Sequence, residues 1–321
     1  RAGQVPRLHS RGVAHRHRAV GPRHGVSAPA PLPSAGIPAA GIRTAGIRTA
    51  AILARGLGTR MRRADAAAPH GAPALTAAQA AVAATGIKGM IPAGADGRPF
   101  LAYLLSALAD AGVDDVVLVV APEHEAIRGH FTREAPPHRV RLRWAVQAEP
   151  LGTADAVAAA ASVIGDRPFL VLNADNLYPV TALRALAHAG GAATVAFDRD
   201  ALVAGGIPPE RVRAFAVLAV DDDGALRGIV EKPGDALNLD SPAARWVGMN
   251  CWAVTPSLVD ACRRVPPSVR GELELPEAVA LFLREGGTVR AIPSADPVLD
   301  LSHQGDIPSV TARLAGVTPQ P

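Results

Sequence analysis

From Thr49 onward, apolar runs alternate with Ala/Leu-rich amphipathic stretches, and this alternation limits the chain to a few architectures. Strands are predicted at 50–54, 115–121, 140–146, 168–173, 192–197, 213–220, 226–231, 246–254 and 288–292. Helices are predicted at 99–111, 152–162, 180–188, 255–264 and 275–284, so the first half reads as strands joined by helical crossovers. That order implies an α/β fold: a Rossmann-like, mostly parallel mixed sheet with helices on both faces. In such sheets ligands bind beyond the carboxyl ends of the strands, which makes the residue after each strand the place to look for chemistry.

Composition narrows the function classes. The 321 residues, 49% of them apolar, suffice for one large α/β domain or two small ones and are too apolar for global disorder. No apolar run approaches the ~18 residues that a membrane-spanning helix needs, so no membrane partner is expected. Cys251 and Cys262 form no Cys-x-x-Cys pair or Cys/His cluster, which speaks against a disulfide framework or a structural zinc and fits a reducing cytoplasm. The net charge of +4 misleads, because the first fifty residues hold eight Arg and no Lys, Asp or Glu. Residues 51–321 carry −4, so the folded part has no claim to bind nucleic acid. Residues 1–46 are Arg, His, Pro, Ala and Gly with few large side chains to bury, and they are expected to be a disordered extension ahead of one domain at 47–321.

Four segments carry candidate chemistry. The first strand runs into Leu53-Ala54-Arg55-Gly56-Leu57-Gly58-Thr59-Arg60-Met61, a glycine-rich turn whose amides can cradle phosphate oxygens while Arg60 supplies charge. It is neither a dinucleotide fingerprint, since Met61 stands where the third glycine would, nor a P-loop; the bland alternative is a tight turn. Against 31 Arg the chain has two Lys, Lys88 in Ile87-Lys88-Gly89-Met90-Ile91-Pro92 and Lys232 in Val230-Glu231-Lys232-Pro233. A compact ammonium retained amid so much Arg suits phosphate oxygens in a tight site, with chance survival as the alternative. In Gln147-Ala148-Glu149-Pro150-Leu151-Gly152-Thr153-Ala154-Asp155, a side-chain amide offers a donor and an acceptor to a base edge, and Gly152 permits close approach. Thr153 doubles there as a helix N-cap. Phe169-Leu170-Val171-Leu172-Asn173-Ala174-Asp175 delivers a carboxylate to the sheet edge, where Mg²⁺ is commonly held against phosphates. Asp300 is the candidate second carboxylate, or else a cap before the last helix.

Taken in order, these segments resemble the sugar-1-phosphate nucleotidyltransferases, or NDP-sugar pyrophosphorylases, over about residues 47–310. Members of that family carry Leu-Ala-Ala-Gly-x-Gly-Thr-Arg, Lys-Pro-Met-x-Pro, Gln-x-x-Pro-x-Gly-(Thr/Leu)-Ala, Gly-Asp-Asn, Glu-Lys-Pro and a terminal Asp motif. The resemblance implies a GT-A-like fold and Mg²⁺-dependent nucleotidyl transfer from an NTP, with UTP or dTTP favoured, to a sugar 1-phosphate. It implies that Leu53, Ala54, Gly56, Gly58, Thr59 and Thr153 hold the nucleotide, that Gln147 and Gly152 read its base, and that Arg60, Lys88 and Asp175 are catalytic. Asp175 and Asp300 would hold Mg²⁺; Glu231 would bind a sugar hydroxyl and Lys232 the sugar phosphate, with Asn250 beside them. The sequence departs from the family at Arg55, Gly89 and Ala174, at Asn250 where Gly is usual, and in an Ala-rich insert at 64–86 with a predicted helix at 76–84. The insert is placed to cover the triphosphate or to make a regulatory or homo-oligomer contact. A glycosyltransferase that consumes an NDP-sugar and a non-catalytic nucleotide-sugar sensor are the alternatives; the first lacks its usual Asp-x-Asp because Asn173 stands in the first place.

Deleting residues 1–46 is expected to leave turnover and melting temperature unchanged, and side-by-side assays of the full and truncated chains check this.

Overall fold

The computed structural model describes residues 46–63, 73–231 and 241–321. The extension up to residue 45, residues 64–72 of the insert, and Lys232 lie outside the described residues. The chain enters through β1 (Thr49–Leu53), the glycine-rich turn and a one-turn helix α1 (Thr59–Arg62). Helix α2 (Ala77–Thr85) and a ribbon of β2 (Pro92–Ala93) and β3 (Arg98–Pro99) precede α3 (Phe100–Asp110). Next come β4 (Asp115–Val120), α4 (Glu125–Gly129), β5 (Arg141–Val146), α5 (Thr153–Ile164) and β6 (Phe169–Asn173). The second half runs through β7 (Asn176–Leu177), α6 (Val180–Ala187), β8 (Ala193–Asp198), α7 (Arg199–Ala204), α8 (Pro209–Val212) and the hairpin β9 (Ala216–Val220) and β10 (Leu226–Val230). It ends with β11 (Trp246–Gly248), β12 (Trp252–Val254), α9 (Pro256–Arg264), α10 (Leu275–Arg284), β13 (Arg290–Ser294), β14 (Leu299–Asp300) and α11 (Ile307–Leu314).

Ten strands make one sheet in the order β10-β9-β11-β8-β12-β6-β1-β4-β5, with β13 on the other edge of β8. The strands β6, β1, β4 and β5 are parallel, whereas β12, β11, β9 and β10 pair antiparallel. The expected mostly parallel core is thus extended by an antiparallel half, which gives a mixed sheet. Every residue of β4 is buried, and its side chains alternate between two layers. Val116, Leu118 and Val120 join the layer of α3 and α6, while Val117 and Val119 join that of α5, α9 and α10. Burying each such side chain contributes about 1.5–3 kcal/mol, so both layers are needed to hold the strand.

One predicted element is corrected. The strand expected at 246–254 is broken between β11 and β12, where Asn250 adopts a left-handed φ of 51° and the chain changes partners from β9 to β6. The carbonyls freed by the break are not left bare, because the buried Tyr178 hydroxyl donates to the Met249 carbonyl at 2.8 Å. The insert helix begins as expected: the Thr76 hydroxyl accepts from the Gln79 N–H at 3.2 Å and the Gln79 side chain accepts from the Thr76 N–H at 3.0 Å, a reciprocal N-terminal cap. The Asp221-Asp222-Asp223-Gly224 run forms the β9–β10 turn, with the Asp221 carboxylate accepting from the backbone of Asp223 and Ala225.

At the amino end of the parallel strands, Asp115 is 8% exposed and is held by Arg143 through Nε at 3.0 Å and Nη2 at 2.6 Å. Burial works to raise its pKa, but the Arg143 hydrogen bonds and charge, reinforced by Arg141, outweigh that and hold the carboxyl below its ordinary 3.8. A depressed folded pKa contributes stability that is fully present above the ordinary value and is lost as pH falls through the folded one. Melting temperature is therefore expected to fall below about pH 3.8 more steeply in the wild type than in Asp115→Asn, which lacks the titration; parallel pH–melting curves for the two proteins check it.

Candidate active site

The parallel strands β1, β4, β5 and β6 end together, and a cavity of about 380 Å³ opens there. Registering Leu53 against Val119 and Asn173 brings the glycine-rich turn, Gln147 and Asp175 to one rim. The cavity is lined by Leu53, Ala54, Gly56, Gly58, Thr59 and Arg60 from the turn, by Lys88, by Gln147, Gly152 and Thr153 beyond β5, and by Asp175 beyond β6. These eleven sequence-predicted residues thus share one surface, although Arg60 and Asp175 stand far apart in the chain.

Gly58 takes a left-handed φ of 61°, and a Cβ at this position would collide with the Gly86 backbone at the end of α2. The glycine turn therefore rests directly on the last residue of the insert. Around that contact Met61, Ala83, Ile91, Phe100, Tyr103 and Leu301 form a small core of their own, and the Arg62 Nε donates to the Thr85 carbonyl at 3.3 Å. The insert helix thus packs beneath the turn. Arg60 is exposed and has no acidic side chain within ion-pair distance among the described residues. Lys88 Nζ donates to Asp175 Oδ2 at 2.8 Å, with both side chains about one-fifth exposed, so a cation and a carboxylate face the cavity as a pair.

Gln147 is 4% exposed, and its Nε2 donates to the Gly152 carbonyl at 2.9 Å and to Asp155 Oδ2 at 2.8 Å. Gly152 has a φ of 122°, and a Cβ there would strike the Leu273 backbone, so the close approach it permits is made by the chain itself. Thr153 is the first residue of α5 and not its N-cap: Gly152 holds that position, and the Thr153 hydroxyl instead accepts from the Leu275 N–H of α10 at 2.8 Å. With Ala154 N–H on the Leu273 carbonyl at 2.8 Å, this stitches the 271–275 segment over the head of α5 and brings Glu272 to the cavity wall. Glu272 belongs to none of the four segments above; Glu272, Glu274 and Glu277 read in the sequence as acids at a helix entry.

Other predicted residues lie elsewhere. Asp300 does not line the cavity; its Oδ1 accepts from Asn176 Nδ2 at 3.0 Å and Ser302 Oγ at 2.9 Å, and its Oδ2 from Arg211 Nη1 at 2.9 Å. Burial, and after it the negative charge of Asp175, push the Asp300 pKa above 3.8, while Arg211 pulls it down. Arg211 also donates to Asp306 at 2.7 Å, which fixes it between two carboxylates. No local spacing announces that pairing. Asn250 lies at the β11–β12 break, and Glu231 is exposed at the end of β10; neither lines the cavity. Arg55, a departure from the family pattern, donates from Nε to the Gln147 carbonyl and from Nη2 to the Ala148 carbonyl, each at 3.0 Å, and so ties the glycine turn to the end of β5. Both cysteines are buried, which raises the Cys251 thiol pKa strongly and pushes Cys262 up to about 12. Neither is a nucleophile or ligand at this site. No helix among the described residues is long and apolar enough to cross a membrane.

A rim that carries a glycine-rich turn, the three cations Arg55, Arg60 and Lys88, and a buried amide suits a ligand that is part polyanion and part flat polar ring. That is a nucleotide, and the molecule is of the nucleotide-handling α/β class. Residues 81–296 match the nucleotidyl transferase family, and the chain belongs to it as an enzyme of that kind. The match begins after the glycine turn. Among curated relatives, the chain is 28% identical over 238 residues to UTP–glucose-1-phosphate uridylyltransferase AglF of Haloferax volcanii, covering 73% of this chain and 90% of that one. It is 27% identical over 195 residues to glucose-1-phosphate thymidylyltransferase of Neisseria gonorrhoeae, covering 59% of this chain and 62% of that one, just under two thirds of the relative's length. Among solved structures, UDP-glucose pyrophosphorylase complexed with UDP-glucose superposes with a TM-score of 0.63 at 17% identity, over 83% of this chain and 98% of that one. The UTP-bound enzyme from Acinetobacter baumannii gives 0.63 at 20% identity, over 83% and 93%. These structures share the fold.

Gly58→Ala is expected to cost about 2 kcal/mol or more, since a left-handed non-glycine residue alone costs roughly 1–2 kcal/mol and the Gly86 contact adds to it. Thermal melting with and without UTP is the check: the variant should melt lower and lose most of the nucleotide-dependent rise.

Proposed function

We propose that the protein transfers a nucleotidyl group from UTP or dTTP to a sugar 1-phosphate, with Mg²⁺, in a cytoplasmic setting where its two free thiols stay reduced. The observation that carries this reading is the gathering of the glycine turn, Lys88, Gln147 and Asp175 on one cavity wall. The relatives whose names specify glucose 1-phosphate, with UTP in one case and a thymidylyl donor in the other, support the substrate pair.

In this reading a sugar-phosphate oxygen attacks the α-phosphorus, a bond forms there, and the bond to the β-phosphate oxygen breaks so that pyrophosphate leaves. Two anions must meet, and the protein's task is to align them and neutralise charge. Thr59, Arg60 and the turn's amides hold the leaving phosphates, and Lys88 turns from Asp175 to the phosphate oxygens as the substrates enter. Lys232 serves the sugar phosphate. Asp175 fits a hard cation, since its carboxylate faces the cavity, and Mg²⁺ typically takes one or two carboxylates plus phosphate and water. Asp300 fits that role only after parting from Arg211, because its oxygens are already committed. When bound, the cation supplies charge neutralisation between the two phosphates.

Purified protein with Mg²⁺ should release pyrophosphate in a reaction that requires one pyrimidine NTP and one sugar 1-phosphate. Asp175→Asn should lose about 100-fold or more in kcat, as expected when a group acting on transition-state charge is removed. No release with any NTP and sugar-phosphate pair would overturn the reading.

A further inference from the structure

The Gln147 amide has two donor hydrogens and one acceptor oxygen, and which of them faces a ligand decides what it can read. Its Nε2 lies 2.9 Å from the Gly152 carbonyl and 2.8 Å from the Asp155 carboxylate. Both neighbours accept and neither donates, so the atom between them must be the NH₂ group. Turning the amide over would set Oε1 against two oxygens, one of them charged. Both hydrogens are thereby consumed, and Oε1 is what Gln147 has left for the cavity it lines. Asp155 itself does not line that cavity.

We propose that Asp155 is a positioning residue that fixes the polarity of Gln147 and so makes the enzyme favour bases that present a ring N–H. Uracil and thymine present N3–H between two carbonyls, which meets a lone acceptor. In the same pose cytosine sets an unprotonated N3 against Oε1, lone pair to lone pair, and adenine does so with N1; either base must shift to bring its exocyclic amino group there instead. An ordinary glutamine could turn over and serve either pattern, but this one cannot. The carboxylate matters because it accepts at both oxygens, whereas an asparagine at 155 can donate and stabilise the reversed amide. A charge-assisted hydrogen bond of this type is about twice as strong as a neutral one, which makes Asp155 the stronger of the two holds on Nε2. The inference rests on the proposed nucleotide site, but it concerns base choice alone.

The test compares wild type with Asp155→Asn for UTP and CTP, in pyrophosphate release with glucose 1-phosphate and in binding of each nucleotide by calorimetry without a sugar phosphate. The wild type should favour UTP, and the variant should lower the UTP-to-CTP ratio of kcat/KM about tenfold, through KM, with the same fall in the binding ratio. A purely structural role for Asp155 would weaken both nucleotides alike and leave the ratio unmoved, and that result overturns the proposal. A wild type that binds UTP and CTP equally also overturns it. If Asp155→Asn does not fold, Asp155→Ala is read in the same way, with a smaller fall expected because Gly152 still holds one hydrogen. Should wild type release no pyrophosphate yet bind with a ratio that falls in the variant, the transferase reading fails and the role of Asp155 stands.

Discussion

The parallel registration of β1 between β4 and β6 is the constraint on which the site depends. Leu53 lies level with Val119 on one side and with Asn173 on the other, so the chain leaves three neighbouring strands at one height. The glycine turn, Gln147 and Asp175 come from separate stretches of sequence, and this shared edge is what makes them neighbours. A slip of one residue in any of these strands would turn its alternating side chains to the opposite layer, so the two cores protect the geometry of the rim. The two ends of the sheet divide the work: Asp115 and its arginines close one, and the polar cavity opens at the other.

Much of this was legible in the sequence for physical reasons. Long apolar runs must become buried strands, and a carboxylate directly after one must lie at the sheet edge, which located Asp175. Lys88 stood out because a chain rich in Arg had kept an ammonium. Gln147 was found from its place beyond a strand, but only half of its chemistry was readable, since its donors are consumed by the Gly152 carbonyl and by Asp155, eight residues on. The pairing of Asp300 with Arg211 spans 89 residues and follows from the fold alone. Helices α7 and α8 have six and four residues, too few for an apolar period to declare itself. The break at Asn250 was hidden because the apolar pattern continues across it while the strand changes partners.

The segment 271–275 shows how a site can draw on sequence far from its motifs. The Thr153 hydroxyl, which looked like a cap for its own helix, serves the first turn of α10, and Gly152 leaves room for the Leu273 backbone. Glu272 reaches the cavity through that stitching. This wall of the cavity is therefore a composite of two helix entries packed against each other, with Arg55 as a third tie from the glycine turn.

The contact of Gly58 with Gly86 has a mechanical meaning. Two backbones that meet with no side chain between them transmit displacement as rigid bodies in contact, without the slack that a flexible side chain would absorb. A displacement of the glycine turn is therefore passed to the end of α2 and, through Gln79 Nε2, hydrogen-bonded to Thr311 at 3.1 Å, to α11. The insert makes the glycine turn one end of a lever whose other end is α11.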